Sequence, residues 1–265
     1  MNKMPKQDLI FRTPLMNAAG TLGFTPDLRA EIPWDDFGAF VTNPLSLRPR
    51  TGAAQPALIE YPGGFLLHTG LPNPGFNAAL KKYAHRWRDS SFPIIAHLMA
   101  DRPEETQQMV RPLEEMENIL AVELGFAPLL ADDILLLTLE MCMGELPLIF
   151  SLPFEQVLSL GPRLIQNGAA AISLAAPRGS LPLTPALRPS PAGRGELVTG
   201  RLFGPSLFPQ SLEIVSSAAK LGLPVIGAGG VYSKEDAQAM LTAGALGVQM
   251  DAGLWLPSNK KDLVE

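Results

Sequence analysis

Pro224-Val-Ile-Gly-Ala-Gly-Gly-Val-Tyr-Ser-Lys-Glu-Asp-Ala237 carries two structural signals side by side. The apolar run 224–228 has the length of a buried strand and stops at two glycines. A helix opens after it: Ser233 and Asp236 stand three residues apart, a capping-box spacing, and the pattern over 233–243 closes at Gly244. Strand, glycine turn and capped helix together are one βα step of a parallel α/β fold. The bare N–H groups of such a turn suit a phosphate. The same glycines equally suit a tight turn that needs φ > 0, and the stretch alone leaves both readings open.

Similar short apolar runs recur at 14–18, 39–42, 93–98, 121–124, 147–152, 171–174 and 247–250. With 224–228 they make eight strands, apolar almost throughout, as parallel strands buried on both faces are. Helical patterns lie between several of them, at 104–116, 155–167 and 209–220, the last with Leu212, Val215 and Ala219 on one face. Eight alternations predict an α/β chain folded as a (β/α)₈ TIM barrel, one domain over 1–265, close to the length of about 250 residues such barrels use. An open doubly wound sheet is the alternative on pattern alone. Two segments depart from a plain barrel. Residues 48–73, rich in Gly and Pro, form an excursion after the second strand. Residues 177–201 carry Pro177, Pro182, Pro185, Pro189 and Pro191, cannot be helical, and read as a long loop. Both follow strand C-terminal ends, the face where such barrels keep their sites.

Composition removes several function classes. Hydrophobic residues make up 46% and charged residues 18%, so a large core is available. The net charge of −5 argues against a nucleic-acid partner, which needs clustered Lys and Arg. The single cysteine, Cys142, excludes a disulfide framework, and three histidines leave no expected metal site. The first ten residues are polar, and the most apolar stretch, 119–143, is broken by Glu123, Asp132, Asp133 and Glu140. No signal peptide or transmembrane segment is expected, and a cytoplasmic protein is.

Five motifs fall in order along the chain: Asn17-Ala-Ala-Gly-Thr-Leu-Gly23, Gly38-Ala-Phe-Val-Thr42, Gly70-Leu-Pro-Asn-Pro-Gly75, Gly204-Pro205 and Ile226-Gly-Ala-Gly-Gly-Val-Tyr-Ser-Lys-Glu-Asp-Ala237. Together they resemble the dihydroorotate dehydrogenase family, an FMN-dependent barrel of pyrimidine synthesis. The resemblance implies cofactor contacts at Ala19, Gly20, Thr42, Gly204, Gly229 and Gly230, and a substrate contact at Asn73.

The rest of the family's site does not carry over. The lysine after the second strand is Asn43, and an asparagine before the Gly70 motif is Leu67. Where the family reads Glu-Leu-Asn-x-Ser-Cys-Pro-Asn, this chain reads Glu123-Leu-Gly-Phe-Ala-Pro-Leu-Leu130. The substrate asparagine is thus Gly125, the cysteine base is Pro128, and the next asparagine is Leu130. The fifth strand's lysine is Ser151, and the sixth strand's Asn-Thr pair is Ala176-Pro177. The Gly-Thr or Gly-Ser that grips phosphate after the eighth strand is Asp251-Ala252.

Oxidation of dihydroorotate needs a base for the C5 proton, and proline has no ionisable group. Each missing hydrogen-bond partner costs about 1–3 kcal/mol, so three or four losses remove several powers of ten in affinity. No catalytic residue is assigned. The carboxylate of Asp251 opposes a phosphate, unless it points away, so an intact FMN site is not expected.

Other groups rank lower. Cys142 reads as a buried structural thiol, Asp132-Asp133 as the acidic start of a helix, and His97 as an ionisable group facing the barrel mouth. Arg194 and Arg201 flank the Pro-rich loop. The chain also departs from the family after 253, where a final helix is expected and Pro257 intervenes. The shortened end leaves one barrel face for a protein partner or a second copy, or for the apolar stretch 131–143 to cover. Three readings follow: a catalytically degenerate member acting as a structural or interaction subunit, an FMN-dependent oxidoreductase with an altered substrate, and an active dihydroorotate dehydrogenase.

Overall fold

The structure, a computed structural model, describes residues 9–128, 130–182 and 197–255. In chain order the elements are β1 (Leu15–Asn17), β2 (Phe37–Val41), β3 (Ala57–Tyr61), β4 (Gly64–His68), α1 (Phe76–Arg88), β5 (Ile94–Met99), α2 (Pro103–Glu114), β6 (Ile119–Gly125), α3 (Asp132–Cys142), β7 (Leu148–Leu152), α4 (Phe154–Gln166), β8 (Ala171–Leu174), β9 (Arg178–Pro182), β10 (Leu197–Phe203), α5 (Phe208–Lys220), β11 (Val225–Ala228), α6 (Lys234–Thr242) and β12 (Gly247–Met250). Eight of the strands close a parallel barrel in the order β1-β12-β11-β8-β7-β6-β5-β2. Each coincides with one of the eight apolar runs, so the (β/α)₈ expectation holds and the open sheet is set aside.

Alternation along each strand divides the apolar residues between two clusters. Met16, Ala39, Val41, Ile95, Ala121, Ile149, Ala171 and Ile226 meet inside the barrel, with Phe11 packed against them. Ile94, Val122, Phe150, Ile172, Val225 and Val248 face outward, under the helices. The capping box at Ser233 forms as its spacing predicts: the Asp236 N–H donates to the Ser233 hydroxyl (3.1 Å), and the Ser233 N–H donates to the Asp236 carboxylate (3.0 Å). Asp132 and Asp133 occupy the first turn of α3, where carboxylates complement the helix dipole. Cys142 is buried, and burial, with Glu114 adding to it, pushes its thiol up to about 12, so it stays protonated. Helix α3 packs between α2 and α4, so the stretch 131–143 does not take the covering position after β12 that the sequence left open to it.

Both excursions are more ordered than the sequence suggests. Segments of 48–73 and 177–201 pair as a four-stranded antiparallel sheet, β3-β4-β10-β9. The Pro-rich segment is therefore not all loop. Gly179 sits opposite Gly200, and a Cβ on Gly179 would lie 2.9 Å from the Leu202 side chain, so the glycine that reads as a turn signal makes room for a packed leucine. Pro185, Pro189, Pro191, Gly193, Arg194 and Gly195 lie outside the described residues, as do those after 255. Helix α1 has no counterpart in the sequence reading. It buries Phe76, Ala79 and Trp87, and the Trp87 indole donates to the Phe24 carbonyl (2.7 Å). Among the described residues no helix is long and apolar enough to cross a membrane.

Candidate functional site

The barrel interior turns polar one layer above its apolar plug. Moving two residues along from Ile95, Ala121, Ala171 and Gly247 reaches His97, Glu123, Ser173 and Gln249. All four are buried, Glu123 with 1% of its surface exposed. The register sets His97 directly opposite Glu123. Glu123 Oε2 lies 2.7 Å from His97 Nδ1, and its other oxygen, Oε1, accepts from Ser173 Oγ (2.6 Å) and from Gln249 Nε2 (2.7 Å). Burial pushes the Glu123 carboxyl up, but His97 and the hydrogen bonds from Ser173 and Gln249 outweigh it, and its pKa is lowered. An ionised carboxylate only accepts, so His97 Nδ1 is the donor. Arg201, on β10 opposite Arg178, feels the same carboxylate from the small sheet above. Burial and Arg178 lower its pKa, and Glu123 works against them.

Above this layer Gly125 faces the imidazole. A Cβ at 125 would lie 2.5 Å from His97 Nε2. The asparagine expected at this position thus cannot coexist with His97 as it stands. Gly125→Asn is expected to destabilise by about 1–3 kcal/mol through overpacking, and much less in a His97→Ala background. A double-mutant cycle read by denaturant unfolding checks this; additive effects would mean the two positions are independent.

The residues assigned by resemblance are placed as follows. Ala19 packs against the interior cluster at its upper end. Gly20 turns at φ 91 with open space around it, the nearest atom to a Cβ being Pro44 Cδ at 3.8 Å. The Thr42 hydroxyl accepts from the His97 N–H (3.0 Å) and so serves the β2–β5 seam. Asn43, in the lysine's place, clips the loop after β1: its N–H donates to the Gly23 carbonyl (2.7 Å), and its amide oxygen accepts from the Gly23 N–H (3.1 Å). Asn73 is buried and joins its own loops, accepting from the Gly75 N–H (3.0 Å) and donating to Ser46 Oγ (3.0 Å). Gly204 is held against the β3–β4 hairpin, where a Cβ would lie 2.3 Å from the Gly63 carbonyl oxygen. Pro128 is exposed in the turn after β6.

Gly229 and Gly230 form the turn expected, at φ 94 and 77. A Cβ on Gly230 would lie 2.4 Å from the Phe208 backbone nitrogen, so close packing on α5 by itself requires glycine there. Their cradle also contains something the sequence left open. The Asp251 side chain points into it, 3% exposed, and the Ala252 N–H donates to its Oδ1 (2.5 Å). The N–H groups of Gly230 and Gly253 also act on this carboxylate, lowering its pKa. Burial still dominates and pushes its pKa up to about 6, with the N–H groups pulling the other way. As they stand, these residues do not fit a cofactor phosphate. The Ala252 N–H is taken, and a buried carboxylate stands in the cradle where a second anion would have to go.

No cluster of three or more metal-ligating side chains exists among the described residues. Two cavities lie away from the mouth. One, of about 280 Å³, lies at the strand N-terminal end, around Asn118, Ile119 and Leu146; the other, of about 250 Å³, lies between α2 and α3.

Comparison with known proteins adds a relationship to this geometry. The family described as dihydroorotate dehydrogenase matches residues 3–126. The chain is 28% identical over 271 residues to the "Dihydroorotate dehydrogenase B (NAD(+)), catalytic subunit" of Geotalea uraniireducens, covering 96% of this chain and 88% of that protein. Proteins of the same description from Trichlorobacter lovleyi and Pelobacter propionicus are each 28% identical, over 97% of this chain and 89% of theirs.

Proposed function

We propose that this chain, similar over most of its length to dihydroorotate dehydrogenases, keeps their barrel and has given up their reaction, acting as a structural or interaction subunit. One observation carries this reading. The mouth carboxylate, Glu123, has both oxygens bound by its own chain, while position 128, where a base is expected, holds proline. Proton abstraction needs an ionisable group free to reach the substrate. The positions that would recognise the pyrimidine edges by amides are Leu67, Gly125 and Leu130, and Asn73 is engaged by Ser46 and Gly75. The relatives are described as catalytic subunits, which makes each of them one member of an assembly. The same place in an assembly is the natural one for this chain, with a protein partner or a second copy of itself. A cytoplasmic setting fits its lone buried thiol.

A second reading has one observation of its own. An imidazole oriented by a buried carboxylate is the arrangement of a general base, and His97–Glu123 has it. An FMN-dependent oxidoreductase with an altered substrate would use that pair. The visible spectrum of the protein purified from its native source tests both. The expected result is a colourless protein that elutes with a partner or as an oligomer. A bound flavin that is bleached by an added reduced substrate, and no longer bleached in His97→Ala, would establish the second reading instead.

A further inference from the structure

We propose that Asp251 is a resident anion: its carboxylate takes the place of a cofactor phosphate in the glycine cradle, so this barrel is closed to a flavin mononucleotide held by its phosphate. The cradle is built from two loops. The Gly229-Gly230 turn after β11 presents the Gly230 N–H, and the turn after β12 presents the N–H groups of Ala252 and Gly253. One of these N–H groups, that of Ala252, hydrogen-bonds Asp251, and the other two act on the same carboxylate, so the two loops form an anion nest that favours one negative charge and repels a second. The chain supplies that charge from the residue that starts the second loop, and the Ala252 N–H is satisfied without any ligand.

The surroundings leave no way to add a phosphate beside the carboxylate. Asp251 is buried, and Gly230 is pressed against Phe208. The nearby titratable groups are the Tyr232 hydroxyl, which feels the Asp251 charge, and Tyr61 beyond it. Neither tyrosine is a cation that could neutralise a second anion. Phe65, Phe203 and Trp255 pack over the same end, and the Trp255 indole ties the turn after β12 to the Thr21 carbonyl (3.0 Å). The cradle is thus a finished structural joint between the β11 and β12 loops. The inference does not depend on whether the mouth retains chemistry: turnover without phosphate binding would overturn the functional reading and leave this one standing.

The test follows the backbone amide resonances of Gly230, Ala252 and Gly253 in the full chain as inorganic phosphate, then FMN, then riboflavin is added. In the wild type none of the three is expected to move at millimolar phosphate. In Asp251→Ala the emptied cradle is expected to take phosphate, shifting all three, and FMN is expected to bind about tenfold or more tightly than riboflavin. Wild-type amides that shift with phosphate would overturn the proposal, as would a folded Asp251→Ala whose amides ignore it. Should that variant not fold, a pH titration of the wild type decides. The three amides moving with the Asp251 carboxyl carbon at one midpoint supports the proposal, and amides indifferent to that titration overturn it.

Discussion

Glu123→Ala is expected to lower folding stability by roughly 3–5 kcal/mol, the cost of leaving three buried polar partners without their shared acceptor. His97, Ser173 and Gln249 would each lose the acceptor they now share at a buried position. At about 2–4 °C per kcal/mol for chains somewhat shorter than this one, the melting temperature would fall by on the order of 10 °C. Glu123→Gln keeps an acceptor oxygen and is expected to lose less. Denaturant unfolding measures both. The sign also separates structure from chemistry, because a side chain held strained for catalysis often stabilises the fold when replaced. A neutral or stabilising Glu123→Ala would speak for a working site.

The second large effect is a pH dependence at Asp251. Burial raises its folded pKa from 3.8 to about 6. A carboxyl raised on folding contributes stability that is fully present below its ordinary value and is lost as pH rises through the folded value. The wild type should therefore gain stability relative to Asp251→Asn as pH falls from about 7 to about 4. A rise of that size corresponds to on the order of 3 kcal/mol. Glu123 pulls the other way: its lowered pKa gives stability above its ordinary value that is lost in acid. It is present in both proteins and cancels in the difference. Urea unfolding across that range measures it, and parallel curves for the two proteins would contradict the upward shift, meaning that the N–H groups offset the burial in full.

The sequence showed the barrel because each strand is a short, almost wholly apolar run, a signal that depends on no distant residue. It did not show the small sheet. Strands β3 and β4 lie partly open to solvent, β9 falls in the stretch that reads as a long loop, and the β4–β10 seam that joins the two pairs brings together segments more than a hundred residues apart. Helix α1 was hidden by its start at Gly75, which offers no side-chain cap. At the site, the losses at Asn43, Gly125, Pro128 and Ser151 were visible as residue types. What replaced them was not. The meeting of His97 and Glu123 follows from strand register. That both fall near the ends of neighbouring parallel runs was the signal that could have suggested it. Asp251 was visible as a misfit beside a phosphate, but its direction depends on two loops brought together by the β11–β12 pairing.

The claim that the barrel remains without its reaction is tested most directly by orotate formation. The purified full chain, and the chain with its native partner, are incubated anaerobically with dihydroorotate, added FMN and an artificial electron acceptor. The account predicts no orotate above the protein-free control in either sample. Orotate produced steadily by the wild type and lost in His97→Ala would contradict it, and would make the buried imidazole the base that Pro128 cannot be.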